Sequence, residues 1–182
     1  MPVFLIIFLI ILLILAIITI ALYLMLSKLR QKVQNASNQV DVQLQRKFDL
    51  TPNLEKLVKN YTSKANSLIK KSKDLRASWQ DTKNIEEKFL LSEKLSYIIK
   101  SLTKTLYDYP DLKIDDEFIS IHSELNSIED TISFSKQFYN DISTKYNNKI
   151  SLFPYIIVAK IFKFEKEELS IKKSKAIKLD FE

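Results

Sequence analysis

The chain has 182 residues, and its 28 Lys and Arg residues against 22 Asp and Glu residues give a formal net charge of +6. It contains no Cys and no Gly. Without Cys, a disulfide framework, a thiolate zinc site, a thiol nucleophile and a lipid-attachment cysteine are excluded. Without Gly, a P-loop, a dinucleotide-binding GxGxxG turn and a GxSxG nucleophile elbow are excluded as well, because each needs Gly where the backbone turns sharply or approaches a phosphate.

The first element is an uncharged stretch from Val3 to Leu26, in which Thr19 is the one residue that is neither apolar nor aromatic. At a helical rise of about 1.5 Å per residue it covers about 36 Å, enough to cross a hydrocarbon core of about 30 Å. It therefore predicts a transmembrane helix that places the chain in a lipid bilayer. A cleaved signal peptide is the alternative, but a basic n-region and an Ala-x-Ala cleavage site are both missing.

Three basic residues, Lys28, Arg30 and Lys32, follow the apolar stretch at once, whereas no basic residue precedes it. Positive charge next to a span is retained on the cytoplasmic side. We therefore expect a single-pass protein of the inner or plasma membrane, with its N-terminus outside and its C-terminal domain in the cytoplasm.

Four apolar stripes with helical steps of three and four follow the span. They comprise Leu29, Val33, Ala36, Val40, Leu44 and Phe48; Leu54, Val58, Tyr61, Ala65, Leu68, Ser72, Leu75 and Trp79; Leu91, Leu95, Ile98, Leu102 and Leu106; and Phe118, Ile121, Leu125, Ile128, Ile132, Ser135, Tyr139, Ile142 and Tyr146. No window shows the alternation of a strand. The predicted fold is all-α, with an N-terminal transmembrane helix followed by an antiparallel, up-and-down helical bundle whose second stripe is coiled-coil-like.

Local signals predict where these helices begin and end. Thr51 followed by Pro52 indicates a helix start, because Thr caps free amides and Pro at the first helical position loses no needed donor. The chain would turn or kink there, and we favour a turn. Tyr109-Pro110-Asp111 predicts the end of the third helix, since the residue before Pro avoids helical angles. The acidic run 115–117 suits the N-terminus of the fourth helix.

Two blocks of residues resemble the signature of the bacterial LemA family. The first is QVDVQLQRKFDLTPNL, from Gln39 to Leu54, continued by Val58-Lys59-Asn60-Tyr61. The second comprises Tyr109-Pro110-Asp111-Leu112-Lys113, Phe118, Glu124-Leu125, Glu129, Ile132, Tyr139-Asn140-Asp141, Tyr146-Asn147 and Phe153-Pro154. The likeness covers residues 29–164. The chain departs from the family at Asn60 and Tyr155, where Gly is common, and at Thr131, where Arg is common.

The resemblance implies a small bacterial inner-membrane protein with one N-terminal span and a cytoplasmic helical bundle. The predicted domains are a transmembrane anchor at 1–27, a LemA-like bundle at 28–152, and a tail at 153–182 that is first apolar and then rich in Lys and Glu. Members of the family have been linked to stress-related membrane protease systems, among other roles.

The blocks also supply the candidate structural or partner motif. Its members are Asp41, Gln43, Arg46, Asp49, Pro52, Asn53, Tyr61, Tyr109, Pro110, Asp111, Phe118, Tyr139, Asn140 and Pro154. The polar members flank the first and last stripes, so they either form interhelical hydrogen bonds or present a partner site. We favour the structural interpretation, and the other stays open.

The sequence offers little for catalysis. His122 is the one histidine, and no HExxH motif, ExxH pair or spaced Asp cluster accompanies it. We expect no catalytic residue, no metal site and no cofactor, and hence no enzyme. The helix that carries the second stripe is rich in Lys, but its two aromatic residues, Tyr61 and Trp79, lie on the apolar stripe and are not interleaved with the lysines. Nucleic acid is therefore not an expected partner.

The leading functional hypothesis is an interaction or scaffold module whose bundle recruits a protein partner of unknown identity. One alternative is a structural component of a membrane assembly that acts by self-association as a homo-oligomer. Another is an accessory subunit of a membrane protease or stress system.

A last apolar segment, 152–164, follows the fourth stripe and is too short for a second membrane crossing. It either caps the bundle or lies in the membrane interface with its aromatic residues in the headgroup region. The interfacial position requires that the fourth helix return towards the bilayer, which we expect from a turn at Pro52.

Overall fold

The computed structural model describes residues 2–106 and 115–167, and all regular secondary structure within these ranges is helical. The elements are α1 (Pro2–Tyr61), a short 3-10 helix (Ser63–Ala65), α2 (Asn66–Asp81), α3 (Ile85–Leu106), α4 (Asp116–Ser151) and α5 (Tyr155–Ile161). The all-α prediction is confirmed. The N-terminal part of α1 contains an 18-residue window with a mean hydropathy of 3.7 and no buried residue, so its length and composition suffice to cross a membrane.

The described residues divide into two compact units, one within 37–137 and one formed by 2–36 with 138–167. The domain boundaries predicted at residues 27 and 152 stay predictions. Inside the 37–137 unit, side-chain pairs define the helix directions: Asp41 with Lys88, Lys47 with Ser92 and Glu129, Glu55 with Arg76, and Glu93 with Lys136. They show that α3 runs parallel to α1 and that α4 runs antiparallel to both. The Glu55 pair with Arg76 and the contact of Phe48 with Trp79 show that α2 is also antiparallel to α1. This is the predicted up-and-down order.

The predicted stripes supply most of the core. A core cluster in the 37–137 unit joins α1, α2, α3 and α4 and contains Leu54, Leu57, Val58, Ala65, Ile69, Ile98, Leu102, Phe118, Ile121 and Leu125. Closer to the N-terminus of α1, Phe48 stacks on Trp79 of α2, with ring centroids 4.8 Å apart. Residues three and four apart on a helix share a face, so the members of one stripe face the neighbouring helices together.

The predicted helix start and turn at Thr51-Pro52 are wrong, because α1 continues through Pro52 to Tyr61. The Thr51 hydroxyl does not cap a new helix. It is buried and donates a hydrogen bond of 2.6 Å to the carbonyl oxygen of Lys47, one turn earlier in the same helix. Buried residues continue on both sides of Pro52, from Phe48 to Leu54, and their burial outweighs the one backbone hydrogen bond that Pro cannot make. The chain turns instead at residues 62–65.

Two helix starts are capped by side chains. Asn84 accepts a hydrogen bond of 3.0 Å from the backbone N–H of Glu87 at the start of α3. Asp115 accepts an equal bond from the N–H of Phe118 at the start of α4, as the acidic run predicts. The helix end predicted at Tyr109-Pro110-Asp111 lies outside the described residues.

In the second unit, the chain after α4 packs beside α1. The Tyr155 hydroxyl donates a hydrogen bond of 3.2 Å to Met25 Sδ, and the Tyr23 ring lies 4.8 Å from the ring of Phe162. The segment that follows α4 therefore adjoins the last turn of the apolar stretch. The return expected from a turn at Pro52 does occur, although the turn lies ten residues later.

Replacement of Pro52 by Ala should stabilise the protein. A Pro inside a helix costs about 3 kcal/mol relative to Ala, and the stiffer unfolded chain that Pro provides offsets up to about 1 kcal/mol of this cost. We expect Pro52→Ala to raise the free energy of unfolding by about 2–3 kcal/mol, measured by chemical denaturation in detergent. A lower stability would indicate that Pro52 shapes a local structure other than continuous helix.

Replacement of Leu125 by Asp should abolish cooperative unfolding. Leu125 lies in the core cluster with 5% of its surface exposed, and an unpaired buried charge costs several kcal/mol, on the order of the stability of a whole domain. Thermal melting followed by circular dichroism is the measurement, and Ser123→Asp, at an exposed position of the same helix, is the control. A cooperative Leu125→Asp variant would place this face of α4 outside the core.

Candidate functional site

A groove of about 640 Å³ lies between α1 and α4 within the 37–137 unit. It is lined by Gln43, Arg46, Asp49, Leu50 and Asn53 of α1 and by Glu124, Ser127, Ile128 and Thr131 of α4. Most of these side chains are polar and belong to the two family-like blocks or lie among them. The groove is therefore the best candidate for a functional site in the described part of the chain.

Helical spacing explains the α1 wall. Positions 43, 46, 50 and 53 are three or four residues apart, so they share one face. Arg46, Asp49 and Asn53 are exposed, whereas Leu50 is half-buried and Ile128 of α4 is buried. The groove consequently has an apolar floor and a polar rim.

The rim carries both signs of charge. Arg46 supplies a guanidinium group, and Asp49 and Glu124 supply carboxylates. Asp49 accepts a hydrogen bond of 2.8 Å from Gln45, while Arg46 and Glu124 form no ion pair with any residue that the structure describes. The hydroxyl of Thr131 donates a hydrogen bond to the carbonyl oxygen of Ser127, and it adds no charge to the rim. Charged groups without partners are available to a bound molecule.

Next to the groove, α1 buries the charged side chain of Lys47. Its Nζ donates hydrogen bonds of 3.0 Å to the carbonyl oxygen and to the hydroxyl of Ser92, and a third bond to the hydroxyl of Ser96. It also forms an ion pair of 2.7 Å with Glu129 Oε2. Burial lowers the pKa of Lys47 below its ordinary value of 10.5, and the nearby carboxylate of Glu129 acts in the opposite direction.

The Lys47 cluster ties three helices together, since Ser92 and Ser96 belong to α3 and Glu129 to α4. Ser96 also donates a hydrogen bond of 2.8 Å to Glu129 Oε1. An ammonium group removed from water requires such partners, because a buried charge without them costs several kcal/mol. The cluster therefore fixes the register of α3 and α4 against α1, and with it the two walls of the groove.

The structure divides the candidate motif into two sets. Gln43, Arg46, Asp49 and Asn53 line the groove. The rest are elsewhere. On α1, Asp41 pairs with Lys88 of α3 at 2.6 Å, Pro52 lies within the helix, and Tyr61 is its last residue. On α4, Phe118 lies in the core, and Tyr139 and Asn140 are buried, while Pro154 precedes α5. Tyr109, Pro110 and Asp111 lie outside the described residues. The functional role of the motif stays a prediction.

Several interacting charges were not among the sequence candidates. Besides Lys47 and Glu129, Arg76 of α2 forms an ion pair of 3.1 Å with the buried Glu55 of α1. A signal for Lys47 exists in the sequence: it lies three residues after Leu44, at a position that the stripe buries. Serines at 92 and 96, one turn apart, are the matching signal on α3.

No group of three or more His, Cys, Asp or Glu side chains able to hold a metal ion occurs among residues 2–106 and 115–167. His122 lies on α4, where its Nδ1 is 3.2 Å from the amide nitrogen of Asn126. Its ring centroid is 5.6 Å from that of Phe118. These contacts are local to one helix face.

Comparison with family models gives a match to the LemA family over residues 36–181. The match includes both walls of the groove and the Lys47 cluster. Among curated proteins, none matches the chain.

The ion pair of Lys47 with Glu129 should make stability depend on pH in a defined way. Replacement of Glu129 by Gln removes the carboxylate that is paired with the buried ammonium group and leaves only the weaker influence of Glu93. Because 43% of the Glu129 side chain is exposed, we expect a loss of about 1–3 kcal/mol near neutral pH, less than for a fully buried pair. Asp130→Asn, at an exposed neighbouring position, is the control.

The deficit of Glu129→Gln should shrink as the pH rises towards 10.5. The pKa of Lys47 is already lowered in the folded protein, and loss of the carboxylate lowers it further. Between the folded-state pKa of Lys47 and its ordinary value of 10.5, the unfolded chain binds more protons than the folded one, so the free energy of unfolding rises with pH. This rise begins at a lower pH in the variant than in the natural protein, because the folded-state pKa of Lys47 is lower there. Denaturation curves at several pH values measure this, and a deficit that is constant with pH would contradict the ion pair.

Proposed function

The chain belongs to the LemA family, and on this premise we propose that it is a membrane-anchored helical-bundle protein that binds a protein partner in the groove between α1 and α4. The observation that carries the proposal is the groove itself, whose rim carries Arg46 and Glu124, two charged groups that form no ion pair with any residue that the structure describes. The proposed role is recruitment, and it requires no catalytic group.

The anchor is the apolar part of α1. Its exposed surface is almost entirely aliphatic or aromatic, as in Phe4, Leu13 and Ile17, each more than half exposed. Such a surface is stable in lipid and unstable in water. Lys28, Arg30 and Lys32 follow the span and favour a cytoplasmic position for the bundle.

A polypeptide fits the groove better than other ligands. From Gln43 to Asn53 the α1 wall is about 15 Å long, roughly the length of four to five residues of extended chain. The amide side chains at its two ends can both donate and accept hydrogen bonds, as a peptide backbone requires. Arg46 is the one cation among two carboxylates, an arrangement unsuited to a phosphate backbone.

Orientation in the membrane can be tested with single cysteines, because the natural chain has none. A membrane-impermeant maleimide added to intact protoplasts should label Val3→Cys before lysis. It should label Ser67→Cys, at an exposed position of α2, only after lysis. Labelling of Ser67→Cys in intact protoplasts would show the opposite orientation.

The groove can be tested by photo-crosslinking in membranes. A photoreactive phenylalanine analogue at Asn53 should give one adduct with a second protein, whereas the same analogue at Lys70, an exposed residue of α2, should not. Arg46→Glu should remove the adduct without changing the melting temperature, because Arg46 makes no ion pair within the described residues.

Two outcomes would contradict recruitment. An adduct with the mass of two copies of this chain would assign the groove to self-association, the structural role considered above. Equal crosslinking from positions 53 and 70 would show that the groove confers no specificity.

A further inference from the structure

The segment that joins α4 to α5, together with α5, exposes a continuous set of apolar side chains. The exposed fractions are 60% for Leu152, 80% for Phe153, 51% for Ile157 and 64% for Ile161. Ile157 and Ile161 are one turn apart and share a face of α5. The opposite face is packed, since Val158 and Ala159 are buried. One face of the segment thus packs against the rest of the protein, and its apolar face is exposed.

This segment lies beside the last turn of the apolar part of α1. Tyr155 bonds to Met25, and the ring of Tyr23 contacts Phe162 and also Phe164, whose centroid is 5.7 Å away. The apolar stretch ends at Leu26. At 1.5 Å per residue, the contacts at Tyr23 and Met25 lie within about 5 Å of that end. The exposed apolar face is therefore at the level where a spanning helix leaves the hydrocarbon.

The segment is held in place at its C-terminal end. Lys163 has a φ of 54°, and the N–H of Phe164 donates a 2.9 Å hydrogen bond to the carbonyl oxygen of Ala159, so α5 closes with a left-handed turn. Further on, Asn147 of α4 exchanges two hydrogen bonds of 2.8 Å with the backbone of Glu167. The exposed face is presented by a fixed structure that α4 supports.

Basic side chains surround this face. Lys160 and Lys163 are exposed within the segment, and Lys149 lies over the ring of Tyr155, with its Nζ 4.8 Å from the centroid. Lys28 and Arg30 follow the apolar stretch on α1 and are exposed as well. An apolar face with a basic border is complementary to the interface of a membrane that contains anionic lipids.

We propose that residues 152–163 form an interfacial segment that inserts its apolar face into the headgroup region of the bilayer that α1 crosses, with Lys160 and Lys163 on anionic headgroups. The proposal rests on the membrane anchoring stated above. The proposal is supported by the position of the exposed apolar face, which adjoins the end of the span. A surface at that position contacts lipid when α1 crosses the bilayer. Tyr23 and Tyr155 occupy the level where aromatic side chains are enriched in membrane proteins.

The test uses the full chain in proteoliposomes of phosphatidylcholine and phosphatidylglycerol. A fluorophore on the single cysteine of Ile161→Cys reports its depth through quenching by lipids that carry a nitroxide near the headgroup. Ile10→Cys, in the middle of the span, should be quenched by nitroxides placed deep in the acyl chains. Phe134→Cys is the matched control, because Phe134 is an exposed aromatic residue of α4, 72% exposed and far along the helix from α5.

We expect shallow nitroxides to remove most of the fluorescence at position 161 and little at position 134. Absence of quenching at position 161 while position 10 is quenched would overturn the interfacial segment and leave the anchor intact. Absence of quenching at both positions would overturn the anchor and the segment together.

The contribution of the two lysines is tested separately. With the fluorophore at position 161, quenching should increase with the fraction of phosphatidylglycerol, and Lys160→Gln with Lys163→Gln should weaken this dependence without changing the melting temperature. A dependence that is unchanged by both substitutions would overturn the role of these lysines. Equal quenching at positions 161 and 134 would overturn the specificity of the apolar face.

Discussion

The buried ammonium group of Lys47 is the constraint on which the 37–137 unit depends. Core side chains such as Leu44 and Leu54 tolerate small shifts of one helix along another, because apolar packing has little directionality. An ammonium group in the same core does not, since it loses its hydrogen bonds when Ser92, Ser96 or Glu129 moves away. The apolar stripes supply most of the stability, and Lys47 selects one register among the arrangements that they allow.

The sequence predicts the fold well wherever helical spacing is unambiguous, and it fails where two signals conflict. The seam of α1 runs through 40, 44, 47, 51, 54 and 58 in steps of four and three, so it continues through Pro52 without interruption. Two of its positions hold Lys47 and Thr51, which are polar. Thr51 followed by Pro52 is typical of a helix start, and that local signal concealed the seam. Tertiary burial outweighed the local preference.

The groove shows that prediction from the sequence has a similar limit for the candidate site. The α1 residues that line it belong to a conspicuous block, and their spacing predicts that they share a face. On α4, Glu124 belongs to the second block, and Ser127 and Thr131 follow it, but nothing in their order identifies them as the facing wall. Their position follows from the register of α4 against α1, which depends on Lys47 and Glu129. Long-range contacts of this kind cannot be derived from periodicity alone.

The ion pair between Lys47 and Glu129 also has a consequence for the order of events during synthesis. Glu129 leaves the ribosome roughly 80 residues after Lys47, which takes about 4–16 s at 5–20 residues per second. Throughout this interval the N-terminal part of α1 is complete, while the lysine has no carboxylate partner on α4. Ser92 and Ser96 of α3 are available before Glu129, but they supply no negative charge. We therefore expect the ammonium group to stay hydrated until α4 has been synthesised, so that the core closes around Lys47 only then.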